Sequence, residues 1–342
     1  MNETDWLGKP YYSLNAYFKA VYGQKIYKIS VNAGLSCPNR DGSLDDRGCI
    51  FCSAGGSGDF AVDIRNSLPF EHRATGASDS VYYKAYEGRQ SKGRRVLDVT
   101  RQIERGMARF NKSVGEKFVI YFQAYTNTYG DIEYLRGIWE AALSDDKVVG
   151  ISVATRPDCL DDEVISLFSE LKDRYGKFIW VELGLQTIHD VTAEYIRRHY
   201  PLSVYDEAVE KLHDNNIPFI VHIILGLPGE TRDMMLETVK YVNSGRPQGI
   251  KLQLLHVLKG TDLATEYLNN KFRVLDMDEY ISLVIECLKH INKDIVIHRV
   301  TGDGPKALLI APDWSGNKKM VLNALHKSMA MQGAVQGELA QQ

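Results

Sequence analysis

The sequence predicts an α/β protein built on a parallel sheet, because short apolar runs alternate with amphipathic stretches of helical period along most of the chain. The predicted strands are nearly continuous in apolar residues, as parallel strands covered on both faces are. The chain has 342 residues, 44% hydrophobic and 25% charged, which is an ordinary balance for a globular protein. The sheet is either open or curled into a barrel, and the length suits one large domain or two modest ones.

Each element follows from a local pattern. Runs rich in β-branched and aromatic residues predict strands at residues 25–31, 118–122, 149–154, 179–183, 219–225, 250–254 and 295–298. Amphipathic stretches predict helices at residues 97–112, 132–144, 162–175, 204–215, 231–244 and 277–292. Repeated β–α units of this kind place helices against the faces of a parallel sheet.

Two segments interrupt this rhythm. Residues 37 to about 95 form a long stretch rich in Gly, Ser and Asp, and a loop of that length is usually functional or partly disordered. Residues 326–342 become small and polar, and we expect them to fray. The predicted organisation is an N-terminal extension at 1–24, a core at 25–300 with a special loop at 37–61, and a C-terminal extension at 301–342.

Charge and targeting signals narrow the class of protein. Lysine and arginine total 41 and acidic residues 44, so the formal charge of −3 argues against a tail-driven nucleic-acid binder but allows a local basic groove. The sequence shows no apolar run long enough to cross a bilayer and no signal-peptide pattern at its start. We therefore expect a cytoplasmic protein without a membrane partner.

Three of the five cysteines lie within sixteen residues, just after the first predicted strand: Cys37, Cys49 and Cys52. In a reducing compartment such clustering favours metal ligation over disulfides. Three thiolates can hold three irons of a four-iron, four-sulfur cubane, which leaves the fourth iron open to a small molecule. An open position is what catalysis requires, so the spacing predicts a catalytic cluster.

Two other interpretations stay open. A structural zinc site needs four closed ligands, and Cys159 or His72 would have to supply the missing one. Alternatively, the cysteines are unconnected core residues, which is how we interpret Cys159 and Cys287.

Several longer motifs carry a resemblance to a known family. They are Cys37-Pro-Asn-Arg-Asp-Gly42, Gly56-Ser-Gly-Asp-Phe-Ala61, Tyr121-Phe-Gln-Ala-Tyr-Thr-Asn-Thr128, Ala154-Thr-Arg-Pro-Asp-Cys159, Val181-Glu-Leu-Gly-Leu-Gln186, Gly226-Leu-Pro-Gly-Glu230 and His298-Arg-Val-Thr-Gly-Asp303. The chain resembles the radical SAM superfamily. Its wide first cysteine gap, eleven residues, is similar to the branch that contains the Elongator catalytic subunit. The motifs match a bacterial subfamily linked to modification of wobble uridine in tRNA.

The resemblance implies a partial (β/α)6 TIM-like barrel with a short C-terminal extension. It implies a [4Fe-4S] cluster on Cys37, Cys49 and Cys52, with S-adenosyl-L-methionine as the second cofactor. It also implies reductive cleavage of that cofactor to a 5'-deoxyadenosyl radical, a reductant such as flavodoxin or ferredoxin, and tRNA as partner.

The cofactor-binding candidates follow predicted strands, where such sheets build their active sites. Arg198 is expected to pair with the cofactor carboxylate, because a guanidinium fork matches it. Glu182 is expected to accept from the ribose or the amino group, and Gly226 to allow close backbone approach to the adenine. The other candidates are Gln123, Thr126, Asn127 and Gln186; Gln123 and Asn127 stand in for a Gly-Gly-Glu segment that the sequence lacks.

On the substrate side the candidates are Arg156, His298, Arg299 and Asp303, with Arg299 as a possible partner of a carboxylate. Three groups that mix basic and aromatic residues suggest contacts with nucleic acid, although each is as readily a solvated face. They are Tyr82, Tyr83, Lys84, Tyr86, Arg89, Lys92, Arg94 and Arg95; then Arg197, Arg198, His199 and Tyr200; then Lys318 and Lys319.

The resemblance favours conversion of 5-carboxymethylaminomethyl(2-thio)uridine to 5-aminomethyl(2-thio)uridine. No acetyltransferase-like domain is recognised after the barrel, so we expect trimming of a group rather than its addition. Two alternatives remain: a radical enzyme acting on a small metabolite or a protein, and a non-enzymatic metal-containing module that binds RNA.

Overall fold

The computed structural model describes residues 6–56, 92–110, 116–302 and 304–340. Seven parallel strands form one curled sheet: β1 (Tyr27–Val31), β2 (Phe118–Phe122), β3 (Val148–Thr155), β4 (Phe178–Gln186), β5 (Phe219–Leu225), β6 (Gly249–Leu254) and β8 (Val296–Arg299). Their spatial order follows the chain order, so β1 and β8 are the two edges. A short antiparallel pair, β7 (Val257–Leu258) and β9 (Leu309–Ala311), lies outside this sheet.

The described helices are α1 (Leu14–Tyr22), α2 (Lys92–Ala108), α3 (Ile132–Leu143), α4 (Asp162–Tyr175), α5 (Asp190–Tyr195), α6 (Leu202–Asp214), α7 (Arg232–Ser244), α8 (Asp262–Leu268), α9 (Met277–His290) and α10 (Lys318–Gln332). Polar caps fix several of their starts. Asp131, Asp161 and Thr231 each accept a hydrogen bond from a backbone N–H in the first turn of the helix that follows. No helix of the described segments is long and apolar enough to span a membrane.

The half-barrel has an apolar outer face and a layered interior. The outward residues of the strands pack beneath the helices in the main core, which includes Ile120, Val153 and Leu252. The inward residues at the amino ends of the strands form an aromatic plug, in which Phe18 of α1 stacks on Trp180 of β4. Above this plug the inward positions become polar, and these positions build the site described below.

The predicted fold class is confirmed, and all seven predicted strands form within a few residues of the expected bounds. The six predicted helices are also present, although the one expected at 97–112 is described from Lys92 to Ala108. The sequence patterns missed α1, α5, α8 and α10.

The expectation that the chain frays from His326 is wrong. Helix α10 continues to Gln332 and ends at Gly333, whose left-handed backbone (φ 63°) suits a glycine. Beyond it, the fully buried Gln336 side chain accepts from the Tyr12 backbone N–H at 2.8 Å. It also donates to the carbonyls of Asn292 and Ile295. The C-terminal segment is thereby tied to both the N-terminal segment and the barrel.

Candidate active site

The loop after β1 brings the three clustered cysteines to the carboxyl edge of the sheet. Cys37, Cys49 and Cys52 line one cleft, together with residues that follow β2, β3 and β4. Tight turns shape the loop, because Arg40 N–H donates to the Cys37 carbonyl and Cys52 N–H donates to the Cys49 carbonyl. The cleft is therefore a small surface on which three thiol groups converge.

Two polar side chains hold this loop in place. Asn39 is fully buried, and its amide donates to the Arg197 carbonyl at 2.7 Å and lies 3.4 Å from Cys49 Sγ. Arg40 donates to the carbonyls of Cys52 (2.8 Å) and Ser53 (2.6 Å). Arg197 has a left-handed backbone (φ 59°), which belongs to the turn after α5 that meets the cysteine loop.

The electrostatics of the cleft fit a metal cluster. Burial and the neighbouring Cys52 and Cys37 together raise the pKa of Cys49 to about 12, although Arg156 lowers it. Such thiols ionise together only when a multivalent cation binds them. In a cubane each thiolate binds a different iron, so the cysteines need not converge on one ion. Accordingly, the described residues hold no group of three or more ligands suited to a single metal ion.

Two buried arginines form the wall opposite the cysteines. Arg198 is 2% exposed and donates to the carbonyls of Thr187 (2.6 Å) and Tyr200 (3.0 Å), while its buried Nη2 has no hydrogen-bond partner among the described residues. Arg156 pairs with Asp158 through two hydrogen bonds of 2.8 and 2.6 Å and lines the same cleft. An unsatisfied guanidinium nitrogen beside a cleft favours an anionic ligand group there.

A buried ionic cluster occupies the middle of the barrel. Glu182 of β4 is fully buried, and its Oε1 accepts from Lys28 of β1 at 2.9 Å and from Ser152 of β3 at 2.5 Å. Its Oε2 accepts from His222 of β5 at 2.7 Å and from Lys251 of β6. Ser152 and His222 lie on the strands next to β4, whereas Lys28 and Lys251 reach Glu182 from the more distant strands β1 and β6.

The cluster shifts the titration of its members strongly. Although burial alone raises the pKa of Glu182, the cations Lys251 and Lys28 hold it well below its ordinary value. Burial, with Lys28 and Arg299 nearby, lowers the pKa of Lys251 to about 7, and the pKa of His222 falls to about 4. Burial and the Glu182 carboxylate raise the pKa of Tyr121 well above its ordinary value.

A second cavity, of about 570 Å³, lies at the gap between the edge strands β1 and β8. That volume is within the range of small-molecule sites. Five basic side chains line this lateral cavity: Lys28, Lys251, Arg299, Lys306 and Lys318. The described lining includes no acidic residue. Tyr121 and Gln123 line both the lateral cavity and the cysteine cleft, so the two spaces meet inside the barrel.

The structure brings some of the predicted cofactor residues together. Gln123, Thr126, Gln186 and Arg198 line the cysteine cleft. Asn127 and Gly226 do not line it: the buried Asn127 amide donates to the Ala154 carbonyl, and Gly226 packs against Leu275.

Glu182 also lines the cysteine cleft, and both of its carboxylate oxygens accept from protein donors. Its expected contact with the cofactor ribose or amino group stays a prediction.

The substrate-side candidates separate into two places. His298 and Arg299 line the lateral cavity, whereas Arg156 lies on the cysteine cleft. Asp303 lies outside the described residues, as do His72 and residues 82–89 of the first basic and aromatic group; of the side chains of Lys92, Arg94 and Arg95 nothing is described.

The second basic group is not a nucleic-acid surface, because Arg198 and Tyr200 are buried and Arg197 pairs with Asp262 at 2.6 Å. Of the cysteines interpreted as core, Cys287 is fully buried and Cys159 is only partly covered.

Sequence reasoning missed the residues that surround Glu182: Lys28, Tyr121, Ser152, His222 and Lys251. A signal was present, since strands β1, β5 and β6 each contain one lysine or histidine among mostly apolar residues. An ionisable residue within a fully buried strand needs a partner, and parallel neighbours are where partners lie.

Comparison with known proteins agrees with this architecture. The Radical SAM superfamily model matches residues 46–242, and the Radical_SAM C-terminal domain model matches residues 247–331. The uncharacterized protein YtqA of Bacillus subtilis (strain 168) is 41% identical over 334 residues, which cover 97% of this chain and 94% of YtqA. Elongator complex protein 3 of Schizosaccharomyces pombe is 23% identical, over 87% of this chain and 56% of the yeast protein. This chain thus spans just over half the length of that relative.

Among solved structures, the archaeal Methanocaldococcus infernus Elp3 with an N-terminal deletion (1–46) has a similar fold. It aligns with a TM-score of 0.58 at 19% identity, over 70% of this chain and 60% of that chain. The chain belongs to the radical SAM superfamily, in a branch like that of Elongator complex protein 3. Enzymes of this superfamily use a [4Fe-4S] cluster and S-adenosyl-L-methionine, so the predicted cofactors are confirmed at the level of the family.

Proposed function

We propose that Cys37, Cys49 and Cys52 hold the cluster, and that the enzyme converts 5-carboxymethylaminomethyl(2-thio)uridine at the wobble position of tRNA to 5-aminomethyl(2-thio)uridine. When bound and reduced, the cluster supplies the electron that splits S-adenosyl-L-methionine and yields a 5'-deoxyadenosyl radical. A carrier such as flavodoxin or ferredoxin is the proposed source of that electron, and the cytoplasm the proposed location.

The chain's own residues divide the work between the two connected spaces. Arg198, whose buried Nη2 makes no described hydrogen bond and lies 3.9 Å from Asp190 Oδ1, is placed to pair with the cofactor carboxylate. Gln123, Thr126 and Gln186 lie beside the cysteines, where their polar groups can orient the amino group and ribose. Arg156 neutralises part of the negative charge that the thiolates bring to the cleft.

The observation that carries the substrate proposal is the lateral cavity. Its cationic lining suits a substrate with a carboxylate, and it meets the cysteine cleft at Tyr121 and Gln123. A carboxymethylaminomethyl group carries a carboxylate on a methylene next to nitrogen. With the carboxylate near Arg299 and Lys306, that methylene would point toward the cofactor side. A wobble base in an anticodon loop is unstacked at low cost, which allows it to enter a barrel pocket.

Removal of a hydrogen atom from this methylene gives a carbon radical stabilised by both the nitrogen and the carboxylate. Loss of one further electron to the oxidised redox carrier gives an iminium ion, and loss of its N–H proton to water leaves the imine. Water then hydrolyses the imine to glyoxylate and releases the aminomethyl group.

The test measures tRNA nucleosides by mass spectrometry in cells that lack the gene. These cells are compared with the same cells complemented by the wild type or by a Cys37→Ala/Cys49→Ala/Cys52→Ala variant. We expect the carboxymethylaminomethyl nucleoside to accumulate without the gene and with the variant, and the aminomethyl nucleoside to return with the wild type. The reconstituted wild type should hold about four irons per chain and the variant none.

An unchanged nucleoside profile would overturn the tRNA substrate and favour a small metabolite or a protein. Formation of the aminomethyl nucleoside without glyoxylate would overturn the trimming chemistry. One zinc per chain in place of iron would overturn the cluster assignment.

A further inference from the structure

The charges around Glu182 do not balance. Lys28 of β1 and Lys251 of β6 both pair with the single carboxylate of Glu182, so two lysines share one negative charge. Surplus positive charge in a buried site is costly unless a lysine gives up its proton or an anion binds. The interior is therefore arranged either to hold a neutral lysine or to receive an anionic ligand.

Lys251 is the lysine placed to give up its proton. Its side chain is buried, its Nζ donates to Tyr121 Oη at 3.1 Å as well as to Glu182, and it lies 4.5 Å from the centre of the Tyr121 ring. It also lines the lateral cavity and a separate, third cavity that Cys52 lines as well. Lys251 therefore stands at the junction where the substrate methylene and the cofactor are proposed to meet.

The titratable and charged groups that face Lys251 come from every neighbouring strand. Burial, Lys28 and Arg299 disfavour a charge on Lys251, and the Glu182 carboxylate favours one. The pKa values of His222 and His298 are both lowered, so these two histidines add no charge near neutral pH. Burial is the largest effect, and together these effects bring the pKa of Lys251 to about 7. At neutral pH a substantial fraction of the amine is thus neutral and able to accept a proton.

We propose that Lys251 is a catalytic residue that takes the proton from the secondary ammonium group of the bound substrate; this role rests on the function proposed above. In this step the substrate N–H bond breaks and a new N–H bond forms on the Lys251 Nζ, so the substrate amine becomes neutral and the lysine becomes an ammonium ion. The anionic substrate carboxylate in the same cavity stabilises that new charge. The freed nitrogen lone pair then stabilises the radical that forms on the adjacent carbon.

Lys28 provides a matched control. It also pairs with Glu182, at 2.9 Å, and lies over the Tyr121 ring, but it contacts the opposite carboxylate oxygen and stands at the edge of the sheet. Removing either lysine perturbs the same ionic cluster. Only removal of Lys251 removes the proposed proton acceptor.

The experiment uses the reconstituted holoenzyme with Lys251→Met, Lys251→Arg and Lys28→Met substitutions. Product formation is measured per molecule of 5'-deoxyadenosine released, from pH 6 to pH 9. For the wild type this ratio should rise with pH through about 7, because the neutral amine is the active form. At pH 7 it should fall about 100-fold in both Lys251 variants, since a general base contributes on the order of 10²–10⁴. Lys28→Met should keep the rise with pH.

Full product formation by Lys251→Arg, or an unchanged pH profile in Lys251→Met, would overturn the proposal. A second measurement does not depend on the substrate. The wild type is labelled with [ε-13C]lysine and titrated by NMR, and the Lys251 signal is identified as the one that disappears in Lys251→Met. Titration of this signal near pH 7 supports the proposal, and titration near pH 10 overturns it. A wild type that makes no product from tRNA refutes the proposed function instead, and the NMR titration still decides the state of Lys251.

Discussion

At the scale of single residues, Glu182 shows how one buried carboxylate organises the interior of the barrel. It accepts hydrogen bonds from Lys28, Ser152, His222 and Lys251, which come from four different strands. Because these donors reach both oxygens, the carboxylate fixes the positions of four side chains around it. Removing one partner of a buried ion pair leaves an uncompensated charge, which costs far more than the pair itself contributes.

The substitution Glu182→Gln should therefore destabilise the protein by about 3–5 kcal/mol, because it leaves Lys28 and Lys251 without a counter-charge. The measurement is urea unfolding of the cluster-free protein at pH 7, where the carboxylate of the wild type is ionised. The matched control is Ser152→Ala, which removes a neutral donor to the same carboxylate and should cost about 1 kcal/mol.

The stability difference between the wild type and Glu182→Gln should also depend on pH. The cations keep the folded-state pKa of Glu182 below its ordinary value of 4.5, so its contribution is complete above pH 4.5 and declines as the pH falls below it. The difference between wild type and variant should then be largest near pH 5.5, where Lys251 of the wild type is protonated, and shrink below pH 4.5. A difference under about 1 kcal/mol at pH 7 would contradict the structural role given to Glu182.

At the scale of secondary-structure elements, the sequence predicts the strands and helices whose positions show in the pattern of hydrophobic residues. The strands were found because each is a nearly continuous apolar run, and the large helices because their apolar stripes face the sheet. The same continuity hides which residues point inward, because a strand buried on both faces loses its alternation. Lys28, His222 and Lys251 were therefore missed even though each is the one lysine or histidine of its strand.

The C-terminal element was misjudged for a different reason. Residues after 326 are small and polar, and local composition cannot show that Gln336 reaches three backbone groups distant in sequence. These contacts join Tyr12, Asn292 and Ile295, so the order of the tail is a tertiary property.

We predict that Gln336→Ala destabilises the protein by about 2–3 kcal/mol, since it leaves one buried N–H and two carbonyls without their partner. Urea unfolding of the cluster-free protein measures this loss. Gln332→Ala is the matched control, because Gln332 is exposed at the end of α10, and it should change stability by less than about 0.5 kcal/mol. Equal effects of the two substitutions would show that the tail is not anchored by Gln336.

At the scale of the whole molecule, the half-barrel stacks three environments along its axis: an aromatic plug, an ionic layer and the cysteine cleft. The cysteine positions were predictable, because their ligand chemistry depends on spacing in one short loop. The lateral cavity was not, because it forms only when the C-terminal segment brings Lys306 and Lys318 beside β1 and β8. A formal charge of −3 gave no sign of this local concentration of cations.

If tRNA is the substrate, as proposed, this distribution of charge predicts how its binding depends on salt. Lys306 and Lys318 are exposed at the mouth of the lateral cavity, where they are placed to neutralise phosphates. The Lys306→Ala/Lys318→Ala variant should bind tRNA more weakly at low salt. Its slope of log affinity against log salt should be shallower by about 1.5, since each neutralised phosphate contributes about 0.7–0.9.

The matched control is Lys147→Ala/Lys240→Ala, which removes two exposed lysines outside the cavity, one just before β3 and one on α7. Filter binding between 50 and 300 mM salt should show a changed slope only for the cavity variant. If both double variants lose the same affinity, binding follows total charge, and the lateral cavity is not where the nucleic acid enters. If the slope is unchanged while affinity falls, these lysines act on the substrate carboxylate rather than on phosphates, because release of bound counterions comes from phosphate neutralisation.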